Sequence, residues 1–418
     1  MRYHLIGING SAMSGLAEIL RGFGHTVTGS DLATTGHSAT NVTGAERVIY
    51  TPAIRESSPG WVELAVARAQ GLEILRADEL LGELTRDAKL IAITGTHGKS
   101  STTAMVAKIC VDLGLNPTVL IGAPIPAWKG RNYRLGNPKF WVLEADDYDR
   151  KFLTLTPDIA VVTNLEVEHL DVYRDLADIQ SAFANFLQKV KVDGTIIAHT
   201  ESTVDEILTN LPVRIIHYGG ASDEYVPALL PKLKVLGEHQ RLNATAALAV
   251  ADALGLDLGV AKRSLAGFTG TGRRLEYLGE KAGVLFYDDY GHHPTEIHVS
   301  LSALKQAFPN RRLVVAFQAH QHSRVKALFN SFTKAFSNAT VVYLIDIYTV
   351  PGRDENVCVE TQDLAAAISA AGTEARYLGS LQDLKRVLPT LVDRGDVFLT
   401  LGATDITRVG RDWLGKDK

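Results

Sequence analysis

Lys99 and Ser100 are the first residues whose types and spacing suggest chemistry. They stand in IAITGTHGKSSTTAM, Ile91 to Met105, where an apolar β-branched run ends in Gly95 and Gly98 follows after Thr96 and His97. A strand that runs through a glycine-bearing turn into a helix brings backbone N–H groups, and the positive end of that helix, up to a phosphate. Lys99 supplies charge there, Ser100 supplies a hydroxyl for magnesium, and Ser101 continues the helix start. The generic pattern G-x-x-x-x-G-K-[ST] is not strictly met, because its first glycine falls on Ile93. The order strand, loop, helix is nevertheless that of a nucleoside-triphosphate site.

Further candidates stand at the ends of other apolar runs. FWVLEADDYD, Phe140 to Asp149, places Glu144 where a carboxylate could hold magnesium. IAVVTNLEVEHLDVY, Ile159 to Tyr173, gathers Glu166, Glu168, His169 and Asp171 within a few positions. A histidine among carboxylates at a strand end is a metal or phosphate candidate. In GEHQRLNATAALAVADAL, His239 and Asn243 are four apart on an alanine-rich helix. Asn243 there could bond an adenine edge, or merely cap or coat the helix. GTGRR, Gly270 to Arg274, reads as a hinge, with Arg273 either a boundary charge or a group that reaches a γ-phosphate on closure. DDYGHHPTE and FQAHQHSR bring His292, His293, His320, His322 and Arg324 to strand ends. A polar substrate cleft accounts for them better than zinc, for which no cysteine or Glu-x-x-His pattern is present. Near the start, GINGSAMSG satisfies only part of a dinucleotide fingerprint from Gly7, and Asp31 is either a ribose or uracil contact or a turn residue.

Positioning these groups requires several cores. A chain of 418 residues implies two to four domains, and a net charge of −4 points to no polyanion partner, so no nucleic acid is expected. Strands alternate with helices throughout, which implies α/β domains with mostly parallel sheets. Strands are expected at Tyr3–Ile8, His25–Ser30, Arg47–Thr51, Leu72–Leu75, Val284–Asp289, Arg312–Gln318, Thr340–Ile347 and Val397–Leu401. Helices are expected to begin near Gly15 and to cover Trp61–Ala69, Asp175–Val190, Gly237–Leu254 and Val260–Phe268. Two isolated cysteines, Cys110 and Cys358, suggest a reducing compartment. With no leader-like start and no apolar run near the ~18 residues of a membrane span, no membrane insertion and a cytoplasmic location are expected. Monomer and homodimer remain equally open.

Taken together, TGTHGKSSTT, EADDYD, TNLEVEHLDVY, GEHQRLNATAA, GTGRRLE, DDYGHHPTE, FQAHQHSR and LTLGATDI resemble the Mur ligases, ATP-dependent amide-forming enzymes of peptidoglycan synthesis. The match is closest to the branch that adds L-alanine to UDP-N-acetylmuramate, and next to a recycling branch that adds a tripeptide. The resemblance implies three domains: a Rossmann-like UDP-sugar domain (1–88), a central P-loop ATPase-type domain (89–270) and a Rossmann-like C-terminal amino-acid domain (271–418). It implies ATP and Mg2+ as cofactors, and cell-wall biogenesis, with its links to cell shape and division, as the setting. It assigns Gly95 through Ser101 to the nucleotide, with Lys99 on its β- and γ-phosphates. Ser100, Glu144 and His169 fall to the metal, Asn243 to adenine, and Arg273 and Asp288 to phosphate and ribose. Tyr290, His292, His320 and Arg324 fall on the amino-acid and reaction-centre side, and Met13, Ser14, Asp31 and Thr51 on the UDP sugar. Lys99, His169, Arg273 and His292 are the implied catalytic set. The chain departs from the family pattern in Gln321, where an arginine usually helps grip the acceptor carboxylate, and in His322, where an aromatic is common. A scaffold that has lost catalysis and a dinucleotide-dependent oxidoreductase are the readings from other classes. The former conflicts with retention of Lys99, Ser100, Glu144 and His169, the latter with the incomplete fingerprint.

Overall fold

The computed structural model describes residues 1–169, 171–349 and 359–415. Cys358 lies outside them. The N-terminal sheet contains β1 (Arg2–Ile6), β2 (Thr26–Ser30), β3 (Arg47–Tyr50) and β4 (Glu73–Arg76), all parallel, in the spatial order β2-β1-β3-β4. Its helices are α1 (Ser11–Gly22), α2 (Trp61–Ala69) and α3 (Ala77–Thr85). The first strand is shorter than its apolar run suggests, because Gly7 turns the chain at a φ of 83° and α1 already begins at Ser11.

A second sheet of seven strands carries β5 (Lys89–Thr94), β6 (Pro117–Ile125), β7 (Arg131–Arg134), β8 (Asn137–Glu144), β9 (Ile159–Val162), β10 (Thr195–His199) and β11 (Arg214–Tyr218). Its order is β11-β10-β9-β5-β8-β6-β7, parallel except for the β6/β7 pair. β5 therefore lies between β8 and β9, and the loops after these three strands meet at one edge. That edge is a topological switch point, where α/β sheets bind ligands. The helices of this part are α4 (Lys99–Asp112), α5 (Leu176–Leu187), the short α6 (Ser202–Asp205), α7 (Glu238–Ala253) and α8 (Leu258–Ala266). All four residues of β9 are buried, as a parallel strand covered on both faces requires. α5 seats Ile179, Phe183, Phe186 and Leu187 in the core beneath, as its 3.6-residue spacing anticipates. Cys110 on α4 is buried, and burial pushes its thiol up to about 12.

The C-terminal sheet holds β12 (Glu276–Lys281), β13 (Val284–Asp289), β14 (Leu313–His320), β15 (Val341–Tyr348), β16 (Glu374–Gly379) and β17 (Val397–Leu401). Its order is β12-β13-β17-β14-β15-β16, with only β12/β13 antiparallel. Around it run α9 (Pro294–Ala307), α10 (His322–Ala327), α11 (Phe329–Ala335), α12 (Thr361–Ala370), α13 (Leu381–Leu391) and α14 (Thr407–Leu414). The chain divides into two compact units. One comprises Met1–Leu233 and Leu242–Phe268, and so contains both the first and the second sheet; the other comprises Lys234–Arg241 and Thr269–Lys418. The division near Phe268 falls within three residues of the hinge read from GTGRR. The assignment of Lys234–Arg241 to the second unit has no counterpart in the composition of that segment. Among the described residues, no helix is long and apolar enough to cross a membrane.

Candidate active site

β5 ends in Thr94, and the chain then makes a loop that the end of β9 holds in shape. Thr96 N–H donates to the Asn164 carbonyl (3.0 Å) and His97 N–H to Asn164 Oδ1 (2.8 Å). Thr163 Oγ1 and Asn164 Nδ2 both donate to the His97 carbonyl, at 2.5 and 3.1 Å, and Glu166 N–H donates to Thr96 Oγ1 at 2.9 Å. The amides of Thr96 and His97 are thus committed to Asn164, and these two residues shape the loop rather than present their N–H groups to a ligand. Gly98 opens α4 at a φ of 83°, with no side chain capping the helix. A Cβ on Gly98 would lie 2.5 Å from Asn243 Oδ1, so only glycine lets the loop pass Asn243. The first-turn amides of α4 and the positive end of its dipole face the loop.

Lys99 Nζ donates to the carbonyls of Gly95 (2.6 Å) and Thr96 (3.0 Å) and pairs with Asp147 Oδ1 at 2.9 Å. Burial works against its ammonium, but Asp147 and then Asp146 and Glu144 outweigh it, and the pKa is raised. Ser100 Oγ donates to Glu144 Oε1 (3.1 Å), and Gly122 N–H fixes the other oxygen of Glu144 at 2.6 Å. The pairing of β8 with β5, which sets Glu144 opposite Ile93, delivers that carboxylate. His169 has a φ of 54° and its ring meets the Tyr148 ring edge-on at 5.0 Å. It pairs with Glu168 at 3.9 Å and makes no hydrogen bond or ion pair with Ser100 or Glu144.

Beside Glu144, within the same unit, a cleft of about 760 Å³ (the part open to solvent included) separates the first sheet from the second. Met13 and Thr51 line one wall; Glu144, Asp146, Lys151 and Phe152 line the other. Ser14 and Asp31 do not reach it. Ser14 Oγ donates to the Ser11 carbonyl, and Asp31 accepts from Asn9 N–H and Ala33 N–H, as a turn residue does.

In the C-terminal unit, consecutive residues of β13 point to opposite faces. Asp288, fully buried, accepts from Thr400 Oγ1 (2.6 Å), Thr407 Oγ1 (2.7 Å) and Arg273 Nε (3.2 Å). Arg273 also donates from Nη2 to the Gly402 carbonyl and from Nη1 to that of Ala403. Asp289 takes N–H bonds from Leu275 and Gly291, both 2.6 Å, and burial pushes its carboxyl up to about 6 against the pull of Arg274. His293 caps α9 in a capping box with Glu296, and Pro294 takes its first turn. Four rings then follow one another: Tyr290 to His292 (5.3 Å), His292 to His320 (5.9 Å), and His320 stacked on Tyr348 (5.6 Å). Arg273 and Arg274 flank the Tyr290 ring at 5.1 and 5.0 Å, and Arg324 Nη1 lies 3.2 Å from His320 Nδ1.

Known proteins share both the sequence and this arrangement. Three family models match in series: "Mur ligase family, catalytic domain" over residues 2–89, "Mur ligase middle domain" over 93–229 and "Mur ligase, glutamate ligase domain" over 273–404. The UDP-N-acetylmuramate–L-alanine ligase of Oleidesulfovibrio alaskensis is 38% identical over 455 aligned positions, covering 99% of this chain and 98% of that protein. The chain belongs to the Mur ligase family. The Sorangium cellulosum enzyme of the same name is 39% identical to this Mur ligase, covering 96% and 93%. The crystal structure of the UDP-N-acetylmuramate–alanine ligase of Thermotoga maritima matches at a TM-score of 0.83 and 28% identity, over 100% and 99% of the chains. A murein peptide ligase from Psychrobacter arcticus, at 22% identity and a TM-score of 0.71 over 100% and 98%, shares the fold.

The structure of this Mur ligase brings Lys99, Ser100 and Glu144 together, sets Asn243 against Gly98, and joins Tyr290, His292, His320 and Arg324 in one cluster. His169 packs against Tyr148 and pairs with Glu168 rather than bonding to Ser100 or Glu144. Arg273 and Asp288 are tied to each other and to the β17 end on one face of β13, whereas Arg274 and Asp289 belong to the face with Glu296. Reading GTGRR and DDY alone leaves that choice undecided, since either member of each doublet could point to the site. Asp147, Lys151 and Tyr348 were also missed. The doubled acid of EADDYD was a signal for the first; nothing in the sequence marked the others.

Proposed function

We propose that this Mur ligase uses ATP to join L-alanine to the lactyl carboxylate of UDP-N-acetylmuramate in the cytoplasm, during assembly of the peptidoglycan precursor. The observation that carries the reading is the Lys99–Ser100–Glu144 constellation on the rim of a cleft lined by Met13 and Thr51. The L-alanine ligases that match nearly the whole chain support the same assignment. In this reading residues 1–88 receive the UDP sugar, 89–270 receive ATP, and 271–418 receive the amino acid.

The residues suit Mg2+: a hydroxyl and a carboxylate oxygen 3.1 Å apart form a hard oxygen pair, held by the Gly122 amide. An ion bound there would neutralise charge shared between the β- and γ-phosphates. The chain's own residues do the rest. The ammonium of Lys99 exchanges Asp147 for phosphate oxygens, and the first turn of α4 adds its amides. The substrate carboxylate oxygen bonds to the γ-phosphorus as the bond to ADP breaks, which gives an acyl phosphate. The alanine amine then attacks the acyl carbon, phosphate leaves, and the amine gives up a proton. His292 is the residue we assign to take it: its Nδ1 lies 3.2 Å from the Tyr290 carbonyl and 3.4 Å from Glu296, partners that favour the Nδ1–H tautomer. Arg324 would hold the acceptor's carboxylate. Arg274 and Asp289, rather than Arg273 and Asp288, are the pair we assign to ligand contact in this unit.

The test is phosphate release by the purified protein with ATP, UDP-N-acetylmuramate and one acceptor at a time. L-Alanine-dependent release is expected, lost by about 10³-fold in Lys99→Ala, the scale of removing one preorganised charge from such a site. Release with the tripeptide and not with alanine would instead assign the recycling activity.

A further inference from the structure

The cleft between the first two sheets is mostly apolar, with Leu81, Leu120, Leu143, Phe152 and Leu155 in its walls. Three carboxylates line it, and each has a partner besides Lys151: Asp78 pairs with Arg76 at 3.0 Å, Glu144 holds Ser100 and the Gly122 amide, and Asp146 accepts the Tyr148 N–H at 3.1 Å. Among the lining residues only Lys151 is cationic. Its Nζ donates to Asp146 at 2.7 Å and lies 5.1 Å from the centre of the Tyr148 ring. An ammonium has three hydrogens to give, and Asp146 takes one.

The backbone aims this lysine. Asp149 and Arg150 both adopt left-handed angles, with φ at 55°, which non-glycine residues hold only when their surroundings impose it. The impositions are explicit. Arg76 grips Asp149 at 3.0 Å, Asp178 grips Arg150 at 2.9 Å, and Arg150 lies over the Tyr173 ring. Immediately after Lys151, Phe152 is buried against Phe183 and Phe186. The double left-handed turn between these fixed points folds Lys151 back to Asp146, into the cleft. Its side chain stays 24% exposed and that of Asp146 49%, so a ligand can reach the pair from solvent, and Asp146 keeps the Tyr148 N–H at 3.1 Å when Lys151 leaves it.

Resting on the functional reading above, we propose that Lys151 is a substrate-positioning residue that holds an anionic group of the sugar nucleotide in this cleft, with Asp146 as the partner it gives up. A sugar nucleotide of the proposed kind carries two such anions, its diphosphate and its lactyl carboxylate. Asp78 and Glu144 are engaged by Arg76, Ser100 and the Gly122 amide, so Lys151 is the cation this cleft offers an anion, and a held lysine has lost part of its ordering cost beforehand.

Titration calorimetry on the full chain separates the outcomes, with UDP-N-acetylmuramate and UDP-N-acetylglucosamine as probes; the second has the diphosphate but not the carboxylate. Lys151→Ala is expected to weaken UDP-N-acetylmuramate by about tenfold, the equivalent of one charge-assisted bond. Lys151→Arg should recover most of that loss, with the melting temperature unmoved in both variants. A loss confined to UDP-N-acetylmuramate identifies the anion as the carboxylate, and an equal loss with both probes identifies the diphosphate. Unchanged affinity for both probes in Lys151→Ala overturns the proposal while the functional reading stands. Failure of the unsubstituted protein to bind either probe overturns that reading and this inference with it.

Discussion

Two buried carboxylates, one in each compact unit, end with pKa shifts of opposite sign. Glu63 on α2 is fully buried beneath the first sheet and has five partners: Ser30 Oγ at 2.6 Å, Asn41 Nδ2 at 2.8 Å, His4 Nε2 and Ser38 N–H at 3.1 Å, and His37 Nδ1 at 3.2 Å. Burial pushes its carboxyl up, yet these donors together hold it down at about 2. Asp289 is 5% exposed and has two donors, the amides of Leu275 and Gly291, and burial wins: its carboxyl stands at about 6. Burial raises both, and the number and kind of donors decides the sign. Glu63 is therefore a locked strut that ties the segment from Ser30 to Asn41 onto α2. Asp289 is poised near neutrality beside Arg274 and the Tyr290–His292 turn, which is how groups at working sites are set.

The largest effect belongs to the strut. Glu63→Ala removes the acceptor that gathers five polar groups in a buried site, and it should cost roughly 3–5 kcal/mol, the range for breaking a buried charged network. Urea unfolding would show it as an early transition of the first unit, and a cost under about 1 kcal/mol would mean that the network is not the support claimed here. Its pH dependence has a definite sign. The folded value lies below the ordinary 4.5, so the stabilisation is present above that pH and is lost as pH falls from there toward about 2.

Asp289 should show the reverse. Its folded value of about 6 lies above the ordinary 3.8, so its contribution is fully present below that lower value and is lost as pH rises through 6. At 1.36 kcal/mol per unit, the swing across this window is about 3 kcal/mol. The stability of the unsubstituted protein relative to Asp289→Asn, followed by urea midpoint, should fall by that order from pH 4 to pH 7. A flat difference would place Asp289 with Glu63 as a structural group. The variant should also remove an inflection near pH 6 from the rate of alanine-dependent phosphate release.

The contrast also explains what could be read beforehand. The strand, turn and helix from β5 to α4 were legible because backbone geometry leaves its mark in Gly95, Gly98 and the β-branched run before them. The boundaries of β13 and β17 were legible because short apolar runs between turn signals have few other readings. Glu63 was not, although a glutamate on the same helical face as Leu64 and Ala67 was a signal. Its five partners come from Ser30, Asn41 and three residues between β1 and the turn after β2, and only the folded sheet gathers them. The choice within Arg273–Arg274 and Asp288–Asp289 was illegible for a different reason. Strand alternation says that neighbours diverge, but which of the two faces the site depends on where β17 and α14 pack.

That choice gives the smallest and sharpest test. Arg273 bonds Asp288 and the carbonyls of Gly402 and Ala403, all within its own unit. Asp288 would keep Thr400 and Thr407 as donors if the guanidinium were removed, so Arg273→Ala should cost stability of about 2 kcal/mol, below the range for a charge left wholly unpaired. Arg274 is partly exposed and reaches Glu296 at 3.5 Å, so Arg274→Ala should cost under about 1 kcal/mol of stability. Its expense should instead fall on turnover, through a raised KM for ATP or a lowered kcat. Melting temperatures and steady-state rates on the two single variants settle the matter, because the assignment predicts opposite rankings in the two measurements. If Arg273→Ala, at full stability, proved the more damaging to turnover, then Arg273 and Asp288, not Arg274 and Asp289, are the pair that serves the ligand. The carbonyls of Gly402 and Ala403 would then hold a working guanidinium rather than a structural one.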